Sequence, residues 1–125
     1  DETISQLSTS GIDPARFVFH CFTGQLDELE KILAFGAMVS FTGITTFKSA
    51  PYLAEAAKIM PADRIMIETD SPYLTPAPHR KVRPNEPRYV ACVAAFIAQV
   101  RQMPLADFVK LVDSNACRFF GLADH

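Results

Sequence analysis

The stretch IMIETDSPYL, residues 65–74, begins as an apolar run and ends in a proline turn. Its apolar half is typical of a buried strand, yet Glu68 and Asp70 follow directly. Residues two apart in a strand lie on the same face, so these carboxylates are predicted to point the same way. An ionised carboxylate in a low-dielectric interior is costly unless a positive group meets it. The stretch therefore predicts a strand, residues 65–70, whose end faces a cation.

Apolar runs bounded by turn residues predict two further strands, FVFHCF at residues 17–22 and AMVSF at residues 37–41. Apolar residues at helical spacing predict helices over residues 26–36, 51–61, 85–100 and 104–121, after a helix tail at residues 3–7. Pro51 is predicted to open the second of these four helices, and Asn85 to cap the third. Residues 43–49 and 71–84 are predicted to be loops.

Strands and helices alternate along the chain, and the strands are uniformly apolar. This pattern is typical of a parallel sheet that is covered by helices. The connections over residues 22–37 and 41–65 are long enough for right-handed βαβ units. The order has two continuations, a small open α/β sheet or part of a (β/α)₈ barrel. No repeat or long linker divides the 125 residues, so residues 1–125 are predicted to form one unit.

Polar side chains follow each predicted strand at its carboxyl end. His20 lies near the end of the first strand, Ser40 and Thr42 end the second, and Glu68 and Asp70 end the third. In parallel α/β sheets, functional groups gather at this edge, and imidazole with carboxylate is a common set of metal ligands. The pattern alone leaves alternatives open. His20 also fits a hydrogen-bonded core histidine, and Asp70 fits a cap of the Ser-Pro turn.

The composition, with 49% hydrophobic and 21% charged residues, excludes a disordered chain. A net charge of −2 and a pI of about 5.9 exclude a broadly basic nucleic-acid binder. Cys21, Cys92 and Cys117 are far apart, and an odd count without a signal peptide favours a reducing, cytoplasmic compartment. No apolar run approaches the ~20 residues that span a bilayer, so no membrane partner is expected.

Three segments of the chain resemble the TatD family of metal-dependent deoxyribonucleases. They are VFHCFTG at residues 18–24, ETDSPYLTP at residues 68–76 and RPNEPRYV at residues 83–90. The segment NACRFFGL at residues 115–122 resembles the closing helix of that family. The similarity covers residues 18–122 with the motifs in the family's order, which makes the match specific.

The resemblance implies a (β/α)₈ barrel of roughly twice this length, with a divalent metal pair at its carboxyl-end mouth. It implies that His20 and Asp70 are metal ligands, with a neighbouring role for Glu68. The family pattern also includes an HxH pair on the first strand, a metal-bridging Glu and one further His, which this chain does not carry. The chain is therefore expected to be the C-terminal part, with three of eight strands and the closing helices. Its expected partner is the missing N-terminal half of the barrel.

The activity implied by the resemblance is hydrolysis of DNA phosphodiester bonds, as an exonuclease, with two divalent ions of Mg, Mn or Zn. Asp70 is then both a ligand and the group that accepts a proton from the attacking water, and Glu68 orients a ligand or contacts the substrate. Two alternatives stay open. One is a metallo-hydrolase of the same barrel group that cleaves an amide or an ester. The other is an inactive half-barrel that packs against a partner chain.

A basic, proline-rich segment, PAPHRKVRPNEP at residues 76–87, follows the third strand. His79, Arg80, Lys81 and Arg83 are predicted to overhang the site and to bind substrate phosphates. The alternative is a solvated charged loop.

The expected absence of the other barrel strands leads to a further prediction about the chain on its own. Apolar residues such as Val18 and Phe22, on the predicted face of His20, are expected to lie open, and the first strand is expected to have an unpaired edge. The chain alone is therefore expected to self-associate. With two protein ligands it is also expected to bind metal weakly.

Overall fold

The computed structural model describes residues 2–123, and its centre is a three-stranded parallel sheet. The strands, in their spatial order, are β1 (Val18–Phe19), β2 (Met38–Phe41) and β3 (Ile65–Ile67). In the register, Phe19 pairs with Val39 and Phe41 pairs with Ile67. The predicted parallel arrangement is confirmed, and all carboxyl ends lie at one edge of the sheet.

Two strands are shorter than the sequence predicted. β1 ends before His20 and β3 ends before Glu68, whereas the predictions ran to residues 22 and 70. The chain leaves the extended conformation beyond each strand, because Cys21 and Asp70 have left-handed backbones with φ of 49° and 54°. Strand alternation therefore does not set the direction of the side chains that follow.

Residues 2–123 form five α-helices. They are α1 (Glu2–Ser8), α2 (Leu26–Phe35), α3 (Pro51–Ile59), α4 (Val90–Val100) and α5 (Leu105–Phe120). Short 3₁₀ turns lie at Pro14–Arg16, Gly43–Thr46 and Pro87–Tyr89. The sequence signals for helix ends are confirmed at α2 and α3. Gln25 and Glu28 form a capping box, Gly36 ends α2 with a φ of 103°, and Pro51 occupies the first turn of α3.

The predicted cap at Asn85 is wrong. The chain forms the 3₁₀ turn Pro87–Tyr89 first, and α4 begins only at Val90, capped by no side chain. The amide of Asn85 donates instead to the backbone carbonyls of Thr69 and Tyr73. A cap residue satisfies helix N–H groups with its own oxygen, whereas this side chain satisfies loop carbonyls with its nitrogen.

Helices α2 to α5 bury their apolar faces with β2 and β3 in one core. Leu29, Leu53, Val93 and Phe108 represent the four helices and are fully buried. Within residues 2–123, no single helix is long and apolar enough to cross a membrane. The segments Pro87–Val100 and Leu105–Phe120 reach the required length and hydropathy only when taken together, and the chain bends by 112° between them.

The outer edges of β1 and β3 have no strand neighbour among the described residues. Val18 is half-buried, but the prediction that Phe22 lies open is wrong. Phe22 is 6% exposed and packs edge-to-face on Phe41, with ring centroids 5.9 Å apart. The left-handed turn at Cys21 directs Phe22 into the core, while His20 stays outside.

Candidate functional site

The parallel register places the groups that follow the three strands at one edge of the sheet. Glu68 donates its backbone N–H to the carbonyl of Phe41, 2.9 Å away, and Phe22 donates to the carbonyl of Ser40, 3.0 Å away. The carboxyl end of β2 is therefore bonded to the chain that leaves both neighbouring strands. We call this edge the mouth, and its polar members are His20, Cys21, Thr42, Glu68 and Asp70.

The carboxylate of Glu68 crosses the mouth from β3 to the chain beyond β1. Its Oε1 accepts the backbone N–H of Cys21 at 2.5 Å and lies 3.7 Å from Nδ1 of His20. β1 and β3 are not adjacent, so this side chain links two strand ends across β2. A carboxylate beside one imidazole nitrogen is a common means of orienting a metal-ligating histidine.

His20 lies at the rim of the mouth with 70% of its side chain exposed. The alternative that His20 is a buried core histidine is therefore wrong. Because Nδ1 faces Glu68, the second ring nitrogen, Nε2, lies on the opposite side of the ring. This arrangement fits a histidine that is held at one nitrogen and binds a ligand at the other.

Asp70 follows β3 in a tight turn in which its carbonyl accepts the N–H of Tyr73 at 3.0 Å. Aspartate tolerates the left-handed backbone that this position has. The predicted shared face of Glu68 and Asp70 assumed a strand that continues to residue 70, and β3 ends at Ile67. The turn, and not strand alternation, therefore sets the direction of Asp70 relative to Glu68.

The thiol of Cys21 lies beside Thr42, within range of the charges of both carboxylates. Burial raises the pKa of Cys21 above its ordinary value, and the negative charges of Asp70 and Glu68 raise it further. A contact with the Thr42 hydroxyl, 4.0 Å from Sγ, acts in the opposite direction. The free thiol is half-buried, and because its pKa is raised it stays protonated at neutral pH.

The donor set of the mouth fits one side of a metal site. Among residues 2–123, no group of three or more His, Cys, Asp or Glu side chains is arranged to hold a metal ion. His20 and Asp70 are the candidate ligands and Glu68 is the orienting group. Since protein metal sites usually have three or four ligands, the residues present fit a shared site better than a complete one.

The segment after β3 is a loop, residues 71–84, that is held at several points. Asn85, 3% exposed, holds its start, because its Nδ2 donates to the carbonyl of Thr69 at 3.0 Å and to that of Tyr73 at 2.6 Å. The backbone N–H of Ala77 donates to Oγ1 of Thr46 at 2.8 Å. A side chain at Gly43 would collide with the carbonyl oxygen of Leu74. The loop therefore packs directly on the turn that follows β2.

The predicted phosphate-binding residues lie on the exposed part of this loop. His79, Arg80, Lys81 and Arg83 are all exposed. The Arg80 guanidinium carbon lies 3.3 Å from the centroid of the Phe47 ring. The ring of His79 lies 4.8 Å from that of Tyr89. Two members of the cluster are therefore fixed by aromatic side chains, rather than free as in a purely solvated loop.

Sequence reasoning missed two residues of this region. Asn85 was assigned to a helix cap, and Phe47 was assigned only to a loop. In the sequence, an asparagine after a proline-rich loop looks the same whether it caps a helix or donates hydrogen bonds to the carbonyls of the loop. An aromatic residue in the polar stretch GITTFKS was the available indication for Phe47.

A family model described as TatD related DNase matches residues 1–121. Among curated relatives, the uncharacterized metal-dependent hydrolase YcfH of Escherichia coli is 36% identical over 119 residues, 95% of this chain and 44% of the relative. The metal-dependent hydrolase YabD of Bacillus subtilis is 37% identical over 96% of this chain and 47% of its own length. The 3'-5' ssDNA/RNA exonuclease TatD of Pantoea vagans is 38% identical over 85% of this chain and 42% of its own length.

Among solved structures, a TatD homologue from Escherichia coli aligns with a TM-score of 0.86 at 23% identity, over 98% of this chain and 47% of that protein. A TatD-family hydrolase from Entamoeba histolytica aligns with a TM-score of 0.76, over 94% of this chain and 45% of that protein. These likenesses show the fold, and the predicted partial (β/α)₈ barrel is confirmed. The chain spans about half the length of the curated relatives it matches.

Proposed function

The chain belongs to the family of TatD-related DNases, and from this premise we propose that the intact protein is a metal-dependent hydrolase of DNA phosphodiester bonds, acting as an exonuclease. The observation that supports this most is the mouth. An exposed imidazole has a carboxylate 3.7 Å from one of its nitrogens, and a second carboxylate belongs to the same edge. Carboxylate and imidazole together suit Mg²⁺, Mn²⁺ or Zn²⁺.

We propose that His20 contributes a neutral imidazole ligand and Asp70 a carboxylate ligand, with Glu68 fixing the imidazole from behind. The remaining ligands are assigned by the same proposal to strands outside residues 1–125. Two divalent ions bound there would supply Lewis-acid activation of a water and of the phosphodiester. Asp70 would offer a carboxylate oxygen to accept the proton of the attacking water. Glu68 keeps its place by accepting the N–H of Cys21.

The basic loop supports phosphate as the chemical class of substrate. Arg80, Lys81 and Arg83 lie on the loop that begins directly after Asp70, the proposed ligand. Each cation that meets a phosphate releases counterions and adds affinity. An amide or carboxylic ester substrate offers no such negative charge. The proposal also includes the reducing, cytoplasmic compartment predicted from the three unpaired cysteines.

The test uses the intact protein and measures bound metal and hydrolysis together. Labelled single-stranded DNA, a chromogenic carboxylic ester and a peptide amide are each incubated with Mg²⁺, Mn²⁺ or Zn²⁺ and, in parallel, with a chelator. We expect shortening of the DNA from one end, lost with chelator, and no turnover of the other two substrates. His20→Ala is expected to lower the bound metal. Metal-dependent cleavage of the ester or the amide with intact DNA would contradict the proposal.

A further inference from the structure

Phe47 and Arg80 form a stacked pair beside the mouth. Phe47 directly follows the 3₁₀ turn after β2, whereas Arg80 lies on the loop after β3. The guanidinium carbon is 3.3 Å from the ring centroid. A guanidinium that stacks on an aromatic face keeps its N–H donors in its own plane, where they are available to an anion. Stacking therefore fixes the orientation of Arg80 without using its donors.

The two sides of the pair are held by hydrogen bonds in the backbone. Phe47 donates its N–H to the carbonyl of Ile44 at 2.8 Å, and its own carbonyl accepts from Ala50 at 3.0 Å. On the other side, the bond from Ala77 to Thr46 ties the loop to the same turn at 2.8 Å. The ring is thus a fixed platform, and the loop that bears Arg80 is anchored next to it.

A small cavity of about 130 Å³ adjoins the pair. Its lining residues are Phe47, Leu74, Thr75, Arg80 and Arg83. The hydroxyl of Thr75 is already used, because it donates to the carbonyl of Val82 at 2.8 Å. Two guanidinium groups and no carboxylate therefore set the charge of the cavity. Guanidinium pairs of this kind recognise the oxygens of a phosphate by bidentate hydrogen bonds.

We infer that Phe47 is a positioning residue for Arg80, and that Arg80 forms with Arg83 a phosphate subsite that holds a non-scissile backbone phosphate of a single-stranded nucleic acid. The inference rests on the proposed function and adds to it, because the subsite takes no part in metal binding. A loop that acted only through its total charge would accept lysine at position 80. A stacked subsite requires the planar guanidinium and the ring beneath it.

The experiment measures binding of a short fluorescein-labelled single-stranded DNA to the intact protein in chelator, so that no hydrolysis occurs. Phe47→Leu removes the ring and keeps an apolar side chain, whereas Phe47→Tyr keeps the ring. We expect Phe47→Leu to raise Kd by about two- to fivefold, the range for an exposed cation–π contact, and Phe47→Tyr to retain the original Kd. Arg80→Lys is expected to weaken binding like Phe47→Leu.

The double variant Phe47→Leu/Arg80→Ala separates positioning from a purely structural role. If Phe47 acts through Arg80, the double variant binds as Arg80→Ala does, because the ring has nothing left to position. An equal loss from Phe47→Leu with and without Arg80 would overturn the inference, as would an unchanged Kd in Phe47→Leu. An unchanged Kd in Arg80→Ala would overturn the inference and, separately, the phosphate role in the proposed function.

Discussion

The two ends of the sheet use their polar side chains in opposite ways. At the amino end, which we call the base, arginine and asparagine side chains donate to backbone carbonyls. At the mouth, carboxylates and an imidazole face one another. Both ends belong to the same three strands, so the sheet topology alone does not cause this difference in the use of polar side chains. We infer from this difference that the base serves stability and that the mouth is the proposed binding site.

At the base, asparagine and arginine side chains donate hydrogen bonds to backbone carbonyls. Asn115 on α5 is 3% exposed and donates to the carbonyls of Ala62 and Ile65 at 2.7 and 2.8 Å. Arg101 donates to the carbonyls of Ala57 and Met60, where α3 ends. Cations at a helix C-terminus stabilise its unpaired carbonyls. The backbone carbonyls at the base therefore find donors within the chain, whereas Nε of Arg101 is buried without a hydrogen-bond partner among residues 2–123.

At the mouth, the negative charges have no such cations. Among the described residues 2–123, no lysine or arginine forms an ion pair with Glu68 or Asp70. The ionisable neighbour that Glu68 does have is His20, at 3.7 Å. We infer that the mouth is a binding site, because its carboxylates lie near an exposed imidazole instead of a structural lysine or arginine.

The largest effect is expected from Asp70→Asn in the intact protein. The change removes an anionic ligand and keeps size, and asparagine also tolerates the left-handed backbone at this position. We expect DNA hydrolysis to be abolished while the melting temperature stays close to that of the unchanged protein. The measurement is single-turnover hydrolysis together with a thermal melt. Normal hydrolysis would remove Asp70 from the site, whatever family the chain belongs to.

Glu68→Gln is expected to act through its neighbours. Glutamine keeps an oxygen for the N–H of Cys21 but loses the charge beside Nδ1 of His20. Partners of metal-ligating histidines typically contribute 10–100-fold in metal affinity, and we expect a loss of about that size. Isothermal titration of the metal-free intact protein with Mn²⁺ or Zn²⁺ measures it. An affinity equal to that of the unchanged protein would show that Glu68 does not support the metal ligand.

Asn85→Ala and Asn115→Ala are a matched pair, one at each end of the sheet. Each asparagine is 3% exposed and donates two hydrogen bonds to carbonyls. Each change leaves buried carbonyls unpaired, so we expect each to lower the free energy of unfolding by about 1–3 kcal/mol. We expect hydrolysis, measured where both variants stay folded, to fall in Asn85→Ala alone. A fall of equal size in Asn115→Ala would contradict the division between mouth and base.

The smallest effect is expected from Lys81→Ala, with Lys58→Ala as its control at the base. Lys81 lies exposed on the basic loop, and Lys58 lies exposed in the last turn of α3. One lost phosphate contact lowers the slope of log affinity against log salt by about 1. We expect that change in Lys81→Ala and an unchanged slope in Lys58→Ala. Equal slopes in the two variants would place the substrate elsewhere.

Much of the fold was predictable from the sequence, because its signals are local. The apolar runs gave the strands, and Gly36 and Pro51 marked helix ends. The carboxyl-end rule then placed His20 and Glu68 at one edge. The strand ends were predicted wrongly at Cys21 and Asp70, because neither residue type marks a left-handed turn by itself.

Other features depend on contacts between distant parts of the chain. The hydrogen bonds of Asn85 and the stack of Arg80 on Phe47 join segments that are distant in sequence, and no local sequence pattern predicts them. The burial of Phe22 likewise follows from the turn that precedes it and from its contact with Phe41. These details position the site, and they required the three-dimensional structure.

The most direct test of the mouth as a metal centre is anomalous diffraction from crystals of the intact protein grown with Mn²⁺ or Zn²⁺. The account predicts an anomalous peak within about 2.5 Å of both Nε2 of His20 and a carboxylate oxygen of Asp70, the range of direct coordination. Glu68 is expected to contact His20 and not the ion. An anomalous peak that is bound by other residues, with His20 and Asp70 left in contact with water alone, would contradict the account.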